Sequence, residues 1–442
     1  MQFLQLLVAL CVLILVHECG HFIFAKIFGI RVEKFYLFFD IGGRRLFSTK
    51  HNKFIAKHFP KLHNAQTDYG IGWLPLGGYC KISGMVDESM DVDALKQEPQ
   101  PYEFRTHPAW QRLLVMFGGV LMNFILAFAV FTGMLASNGQ SYISNEDNCI
   151  YTNELSRQMG FRTGDRILSY DDYQPEKFNM LTPELARRSP SVVTVLRGSD
   201  TVRLHIDHAL IGEMLDSPDF FTLALPFVVD SIPPSSINYG SGLEKGDRIC
   251  SLGGLSTPYV QDSKGVLKRY AGNTVEAEIL RGRDSLKLDL QVDSSGLIGV
   301  FLEMPQIHTQ NYSIAEAIPA GISYTFKQIG GYLQDLKLVA TPSTGAYKQV
   351  GSFVAMGQVF PKLWDWNIFL NLLAMFSIML GVMNLIPIPG LDGGHIVFTL
   401  YEMLTGRKPS DKFLMVTQMI GMALLMLLLF IAFGNDIGRL IR

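Results

Sequence analysis

Charge is scarce in this 442-residue chain: Asp, Glu, Lys and Arg make up 18% of it, against 48% hydrophobic residues. The signs nearly cancel, to a formal −2, and no long basic run or basic domain stands out, which argues against nucleic acid as a partner. Cysteine is also sparse. Cys11, Cys19, Cys80, Cys149 and Cys250 form no C-x-x-C pair and no regular spacing, which excludes a disulfide framework, and Cys149 and Cys250 read as free thiols. The first apolar stretch has no basic region before it, so it does not read as a cleavable signal peptide.

What the chain does have is long apolar runs. With a mean hydropathy of +0.21, it reads as an integral membrane protein with a substantial soluble portion. Four stretches approach the ~20 residues that cross a hydrocarbon core: about 3–29, Leu113–Leu135, Ile368–Ile386 and Phe413–Phe433. Arg31, Lys34, Arg44, Arg45, Lys50, Lys53, Lys57 and Lys61 follow the first, and Arg105 and Arg112 precede the second. Arg407, Lys408 and Lys412 separate the third from the fourth. The positive-inside rule makes both of these loops cytoplasmic and the segment from about 137 to 366 extracytoplasmic.

The first run contains His17-Glu18-Cys19-Gly20-His21, the H-E-x-x-H pattern. On a helix, His17 and His21 project from one face and can reach one metal ion. Glu18 lies about 100° round the helix from His17, where it can serve as general base toward a water at the metal's open position. An ionisable group at mid-membrane costs at least ~2.5–3.5 kcal/mol on insertion scales, so polar residues clustered here point to function.

A third protein ligand is expected. The supplier is Asn384-Leu385-Ile386-Pro387-Ile388-Pro389-Gly390-Leu391-Asp392-Gly393-Gly394-His395, at the end of the third run. Pro387 and Pro389 break the helix and leave irregular backbone where a substrate strand can approach. Asp392 and His395 are rival ligands, and the known His₂-carboxylate arrangement of catalytic zinc favours Asp392. Asn384 has the donors and acceptor to hold substrate backbone or an oxyanion. In the first loop, strand-like residues flank Leu74-Pro75-Leu76-Gly77-Gly78, which predicts a hairpin dipping toward the site, with an edge onto which an extended substrate can add.

Between the second and third runs the chain repeats. Gly160-Phe161-Arg162-Thr163-Gly164-Asp165-Arg166-Ile167-Leu168 returns as Gly242-Leu243-Glu244-Lys245-Gly246-Asp247-Arg248-Ile249-Cys250, each followed by a β-rich stretch ending in Leu-Arg-Gly. The unit is domain-sized. It resembles the PDZ domain of bacterial envelope proteases, which implies two α+β modules that capture peptide C-termini by strand addition, or only restrict access to the membrane site.

H-E-x-x-H in the first span, N-x-x-P-x-P-x-L-D-G-G in the third and PDZ-like repeats between them together resemble the site-2 proteases. The bacterial regulator of sigma-E protease type has the matching architecture. The resemblance implies Zn²⁺ held by His17, His21 and Asp392, with Glu18 as base, Asn384 as a substrate contact, and the Gly70–Ile82 hairpin as a re-entrant element. In the Gly-Pro-x-x-Asn motif of the family's second span, Val120 replaces proline here, while Gly119 and Asn123 remain and Asn123 is a further substrate-binding candidate. The resemblance also implies single-pass membrane proteins, such as anti-sigma factors or remnant signal peptides, as substrates in a bacterial inner membrane.

The expected fold is thus a four-span α-helical membrane protein with a membrane-associated β-hairpin and two extracytoplasmic PDZ-like domains. Its segments are 1–136 (two spans and hairpin), 137–217 and 218–305 (PDZ-like), 306–365 (amphipathic linker) and 366–442 (two spans). The stretch from Leu37 to Gln66 is longer and more basic than such a hairpin region requires, and the sequence assigns it no role. A zinc transporter would have no use for the repeats or for Glu18. A silent peptide-binding scaffold would not need His17, Glu18, His21 and Asp392 together.

Overall fold

The computed structural model describes residues 1–75, 77–85 and 98–441; Leu76, in the middle of the expected hairpin turn, lies outside them. The chain divides into two compact units, one of Met1–Gly139, Asn311–Lys337 and Val350–Arg442, the other of Gln140–Gln310 and Leu338–Gln349.

In the first unit, helix α1 (Gln2–Ile27) runs through a stretch rich in Leu, Val and Ile and stops where Gly29 takes a positive φ of 76°. Its buried stripe of Leu6, Ala9, Leu13, His17, Gly20 and His21 keeps helical spacing. That stripe meets α2 (Ala109–Asn138), which buries Val115, Gly118, Gly119, Asn123 and Ala127. The two backbones touch: a Cβ on Gly20 would lie 2.2 Å from the Gly118 carbonyl oxygen. Small residues permit such contact between helices in lipid.

Helix α3 (Ile314–Ala340) packs Tyr324, Ile329, Tyr332 and Leu336 with Phe131 of α2. Helix α4 (Trp366–Leu385) also packs on α2, joining the same cluster through Ala374, Ile378 and Val382, and the Ser377 hydroxyl donates to the Asn123 carbonyl at 2.7 Å. The chain then breaks at Ile386 and re-enters a helix at Asp392, giving α5 (Asp392–Thr405) before the last helix, α6 (Asp411–Ile441). Four stretches are long and apolar enough to cross a membrane: Gln2–Ile27, Ala109–Asn138, Trp366–Leu385 and Lys412–Asp436. They coincide with the four expected runs.

The hairpin expectation is corrected. Strands β1 (Val32–Leu37), β2 (Arg45–Ser48), β3 (Asp68–Gly72) and β4 (Tyr79–Ile82) form one sheet in the order β2-β3-β1-β4. β3 and β4 are not partners. Each pairs with β1, β3 in parallel and β4 antiparallel, so β3 and β4 flank β1 instead of forming a hairpin with each other. Strand-like composition on both sides of a turn was read as local pairing, but β1, from the preceding segment, takes the place between them. Part of the unassigned 37–66 stretch becomes β2, the other edge of this sheet.

In the second unit the repeat has a physical basis. Strands β5 (Arg166–Tyr170), β6 (Val192–Arg197) and β7 (Asp200–His205) form one antiparallel sheet. Strands β8 (Arg248–Leu252), β9 (Leu255–Ser256), β10 (Thr274–Arg281) and β11 (Asp284–Gln291) form its counterpart, in the order β9-β8-β10-β11. The Asp of each Gly-Asp-Arg-Ile motif is fully buried and takes a two-pronged hydrogen bond from the Arg of the following Leu-Arg-Gly. The distances are 2.8 and 2.7 Å for Asp165–Arg197 and 2.7 and 2.8 Å for Asp247–Arg281. Each Arg also donates to the first Gly of its motif, Gly160 or Gly242. The two repeated sequence marks are therefore halves of one ion pair, made twice. Phe221–Leu223 pairs with Ile150–Thr152, so the first repeat runs past the boundary expected at 217. All five cysteines are free thiols.

Candidate metal and catalytic site

Three ligand atoms from two separate helices converge in the first unit. Asp392 Oδ2 lies 3.2 Å from His17 Nε2 and 3.3 Å from His21 Nε2, and the two Nε2 atoms are 3.3 Å apart. Ligands about 2.0–2.1 Å from a common centre at tetrahedral angles stand about 3.3–3.4 Å from one another, so the triangle has the size that zinc requires. Its protonation agrees. His21 Nδ1 lies 2.8 Å from the Val115 carbonyl oxygen, which can only accept, so Nδ1 carries the proton and Nε2 presents a lone pair. Asp392 Oδ2 is buried and without a hydrogen-bond partner. Lone pairs facing one another repel, and a shared cation resolves the conflict. Among the described residues this is the group of His, Cys, Asp and Glu able to hold an ion. His395, the rival ligand, is not in it and lines a separate pocket beside Arg112 and Glu402, which form an ion pair.

Glu18 is partly buried, near the backbone of Cys80 on β4 and in the electrostatic field of His17, His21 and Asp392. The sheet thus lies next to the general-base candidate beside the metal cluster. Phe22 of α1 fastens that sheet through ring contacts with Phe35 and Tyr69, at 5.3 and 6.0 Å.

The other expected residues separate into two groups. Asn384 comes to the cluster, its Nδ2 3.4 Å from His17 Nε2. Pro387 is exposed and Pro389 partly buried on the break that delivers Asp392. The remaining three are Asn123, Gly77 and Gly78. Asn123 is wholly buried, with its amide 3.1 Å from His17 Nδ1, so it meets the ring on the side away from the cluster. With Nε2 on a metal, Nδ1 bears a proton, and the Asn123 oxygen, which otherwise has no partner, is the acceptor available for it. Asn123 is thus placed where it can orient the ligand. Gly77 and Gly78 serve close packing: a Cβ on Gly77 would lie 2.6 Å from the Phe39 ring, and one on Gly78 2.5 Å from Ile14 and 2.8 Å from the Tyr36 carbonyl.

This gives a first test. Asn123→Ala is expected to weaken zinc affinity about 10–100-fold, read by chelator competition, with KM nearly unchanged once zinc is saturating. A raised KM at unaltered zinc affinity would return Asn123 to the substrate.

One residue was not recognised from the sequence as part of the site. Gly119 faces the two imidazoles, and a Cβ there would lie 2.5 Å from His21 Nε2 and 2.7 Å from His17 Cε1. Its local signs are the Gly118-Gly119 pair in an otherwise bulky apolar helix and its place at the head of the Gly-Val-x-x-Asn stretch, neither of which by itself says that it faces the imidazoles.

A His₂-carboxylate triangle with an adjacent glutamate, set among membrane-length helices, is the arrangement of a metal-dependent peptidase working in a membrane protein. The comparisons agree: the description "Peptidase family M50" matches residues 5–428, and the chain belongs to this family, the site-2 proteases. It is 27% identical over 459 residues to a Xylella fastidiosa protein named "putative zinc metalloprotease", covering 98% of this chain and 97% of the relative. It is 26% identical over 451 residues to "Metalloprotease MmpA" of Caulobacter vibrioides, covering 98% and 95% respectively. A Borreliella burgdorferi protein, also named "putative zinc metalloprotease", is 26% identical over 424 residues, covering 93% of this chain and 92% of its own. The protein is a zinc metalloprotease of the membrane.

Proposed function

We propose that this protease hydrolyses peptide bonds inside the membrane segments of single-pass proteins, with zinc held by His17, His21 and Asp392. The observation that carries the reading is depth. His17 stands well inside a 26-residue helix, ten residues from its C-terminal end, or about 15 Å at 1.5 Å per residue. Zinc, when bound, lowers the pKa of a water and polarises the scissile carbonyl. Glu18 takes the proton of the attacking water and returns it to the leaving amine. Asn384, beside His17, holds substrate backbone near the cluster. A helical substrate must unwind to expose its carbonyl, and β4, the edge strand next to Glu18, together with the Pro387–Pro389 break, is where it is held extended.

The basic residues after α1 and before α2 argue for a cytoplasmic position of that loop, and the bacterial relatives argue for an inner membrane. The second unit is then periplasmic. Its twin sheets with matching ion pairs support the PDZ-like reading, and we assign it a gating role that turns away substrates not already trimmed, with capture of peptide C-termini as the accompanying chemistry.

The test uses full-length protein in detergent with a pre-trimmed single-pass substrate and fragment mapping by mass spectrometry. Cuts within the membrane segment, abolished by chelation and restored by zinc, are expected. Cuts confined to the soluble part would overturn the intramembrane assignment.

A further inference from the structure

The stretch between β1 and β3 is used by neither the metal site nor the peptide path. From Ile41 to Thr67 it contains Arg44, Arg45, Lys50, Lys53, Lys57 and Lys61 and not one Asp or Glu. Large apolar side chains alternate with these cations and stand in the open: Ile41, Leu46, Phe54 and Phe59 are each more than half exposed. Arg44, Lys53, Lys57 and Lys61 are exposed too and make no ion pair among the described residues. Exposed aromatic and aliphatic groups would ordinarily be withdrawn from water in so small an excursion, and like charges this close repel. One surface satisfies both features at once, an apolar layer bounded by anionic headgroups.

The excursion is also folded and fixed at a definite level. Asp68, buried at the start of β3, accepts from the hydroxyls of Ser48 (2.8 Å), Thr49 (3.1 Å) and Tyr36 (2.8 Å) and from the Lys50 N–H (3.1 Å), closing the loop at its base. Burial alone would raise the Asp68 pKa, but these donors outweigh it and hold the carboxyl below its ordinary value, so the clasp persists at neutral pH. Asn52 caps the short helix Lys53–His58 by accepting from Phe54 N and Ile55 N. The Lys50 ammonium donates to the Gln66 carbonyl at 3.0 Å, drawing the two arms together. At its end, Thr67 Oγ1 accepts from Lys26 Nζ, in the last turn of α1, at 3.1 Å. The loop base is thus tied to the end of a membrane-spanning helix, at headgroup level, where Ile23 and Ile27 of α1 are exposed as well.

We propose that residues 41–66 form a lipid-binding arm that lies on an anionic leaflet, with Phe54 and Phe59 seated in the headgroup–acyl boundary and Lys53, Lys57 and Lys61 against acidic phospholipid. This rests on the chain being a membrane protein and not on the assignment of its substrates. Charge complementarity and continuity with α1 select lipid over another occupant. An arm anchored in this way would steady β2 and, through the sheet, the strand next to Glu18.

The test is amide hydrogen exchange of the full-length protein in nanodiscs of pure phosphatidylcholine and of phosphatidylcholine with about 30% phosphatidylglycerol, at low and high salt. Amides from 52 to 63 are expected to exchange about tenfold more slowly with phosphatidylglycerol, and the gain is expected to vanish at high salt. It should also vanish in Lys53→Glu/Lys57→Glu/Lys61→Glu, with wild-type zinc content showing that this variant is folded. Equal exchange in the two lipids, or a triple variant that still responds to phosphatidylglycerol, would overturn the proposal. Equal, salt-sensitive protection in both would point instead to an acidic partner within the chain or on another protein.

Discussion

Glu18→Gln is expected to lower the cleavage rate by about 10²–10⁴-fold while leaving zinc content and the unfolding temperature close to wild type. The amide keeps the volume and shape of the carboxylate and can still accept a hydrogen bond through its oxygen. It cannot take a proton from water. The zinc triangle of His17, His21 and Asp392 does not include residue 18, so the metal should stay. Zinc analysis beside fragment mapping separates the outcomes. Lost activity with retained zinc supports Glu18 as base, whereas unchanged rates would remove it from the chemistry. Loss of zinc would make it a ligand or a support for one.

Gly119→Ala is expected to act through the metal. The added carbon would lie 2.5 Å from His21 Nε2 and 2.8 Å from His21 Cε1, closer than side chains tolerate. Neither ring has room to yield, since His21 is held by the Val115 carbonyl at 2.8 Å and His17 by Asn123 at 3.1 Å. Alanine in a helix interior is otherwise more favourable than glycine by roughly 0.5–1 kcal/mol, so α2 should not be weakened by propensity. A fall in zinc affinity of about 100-fold or more, in a protein that remains helical and membrane-inserted, is the predicted signature. Titration with a competing chelator reads the first quantity and circular dichroism the second. Normal zinc affinity in Gly119→Ala would mean that the helices separate easily at this point.

Much of the first unit was legible in the sequence because its signals are local. Membrane spans are marked by length and composition, and the observed helices follow the four apolar runs. The break at Pro387 and Pro389 is covalent geometry, and α4 ends just before it, at Leu385. The sheet was legible only in part. Two of its strands, β3 and β4, could be read, but β1 and β2 and the strand order could not, because β1 joins β3 and β4 across intervening chain and nothing between Gly72 and Tyr79 marks that neither strand pairs with the other. Helix α5 was hidden because its short, mixed composition follows two prolines and a glycine and itself begins Asp-Gly-Gly.

The sequence by itself determined the chemistry on offer: two imidazoles one helical turn apart, a glutamate between them, and a carboxylate after a proline break. Side-chain identity and spacing along one helix suffice for that, since the helical period alone places His17 and His21 on a common face. Only the tertiary structure decided that Asp392 and not His395 meets them, that Asn123 lies behind the ring, and that Gly119 leaves the room the cluster occupies. Those facts depend on how closely separate elements approach. That distance is set by small residues where backbones touch and by the loop that aims α5, contacts between segments far apart in the chain that no local pattern records.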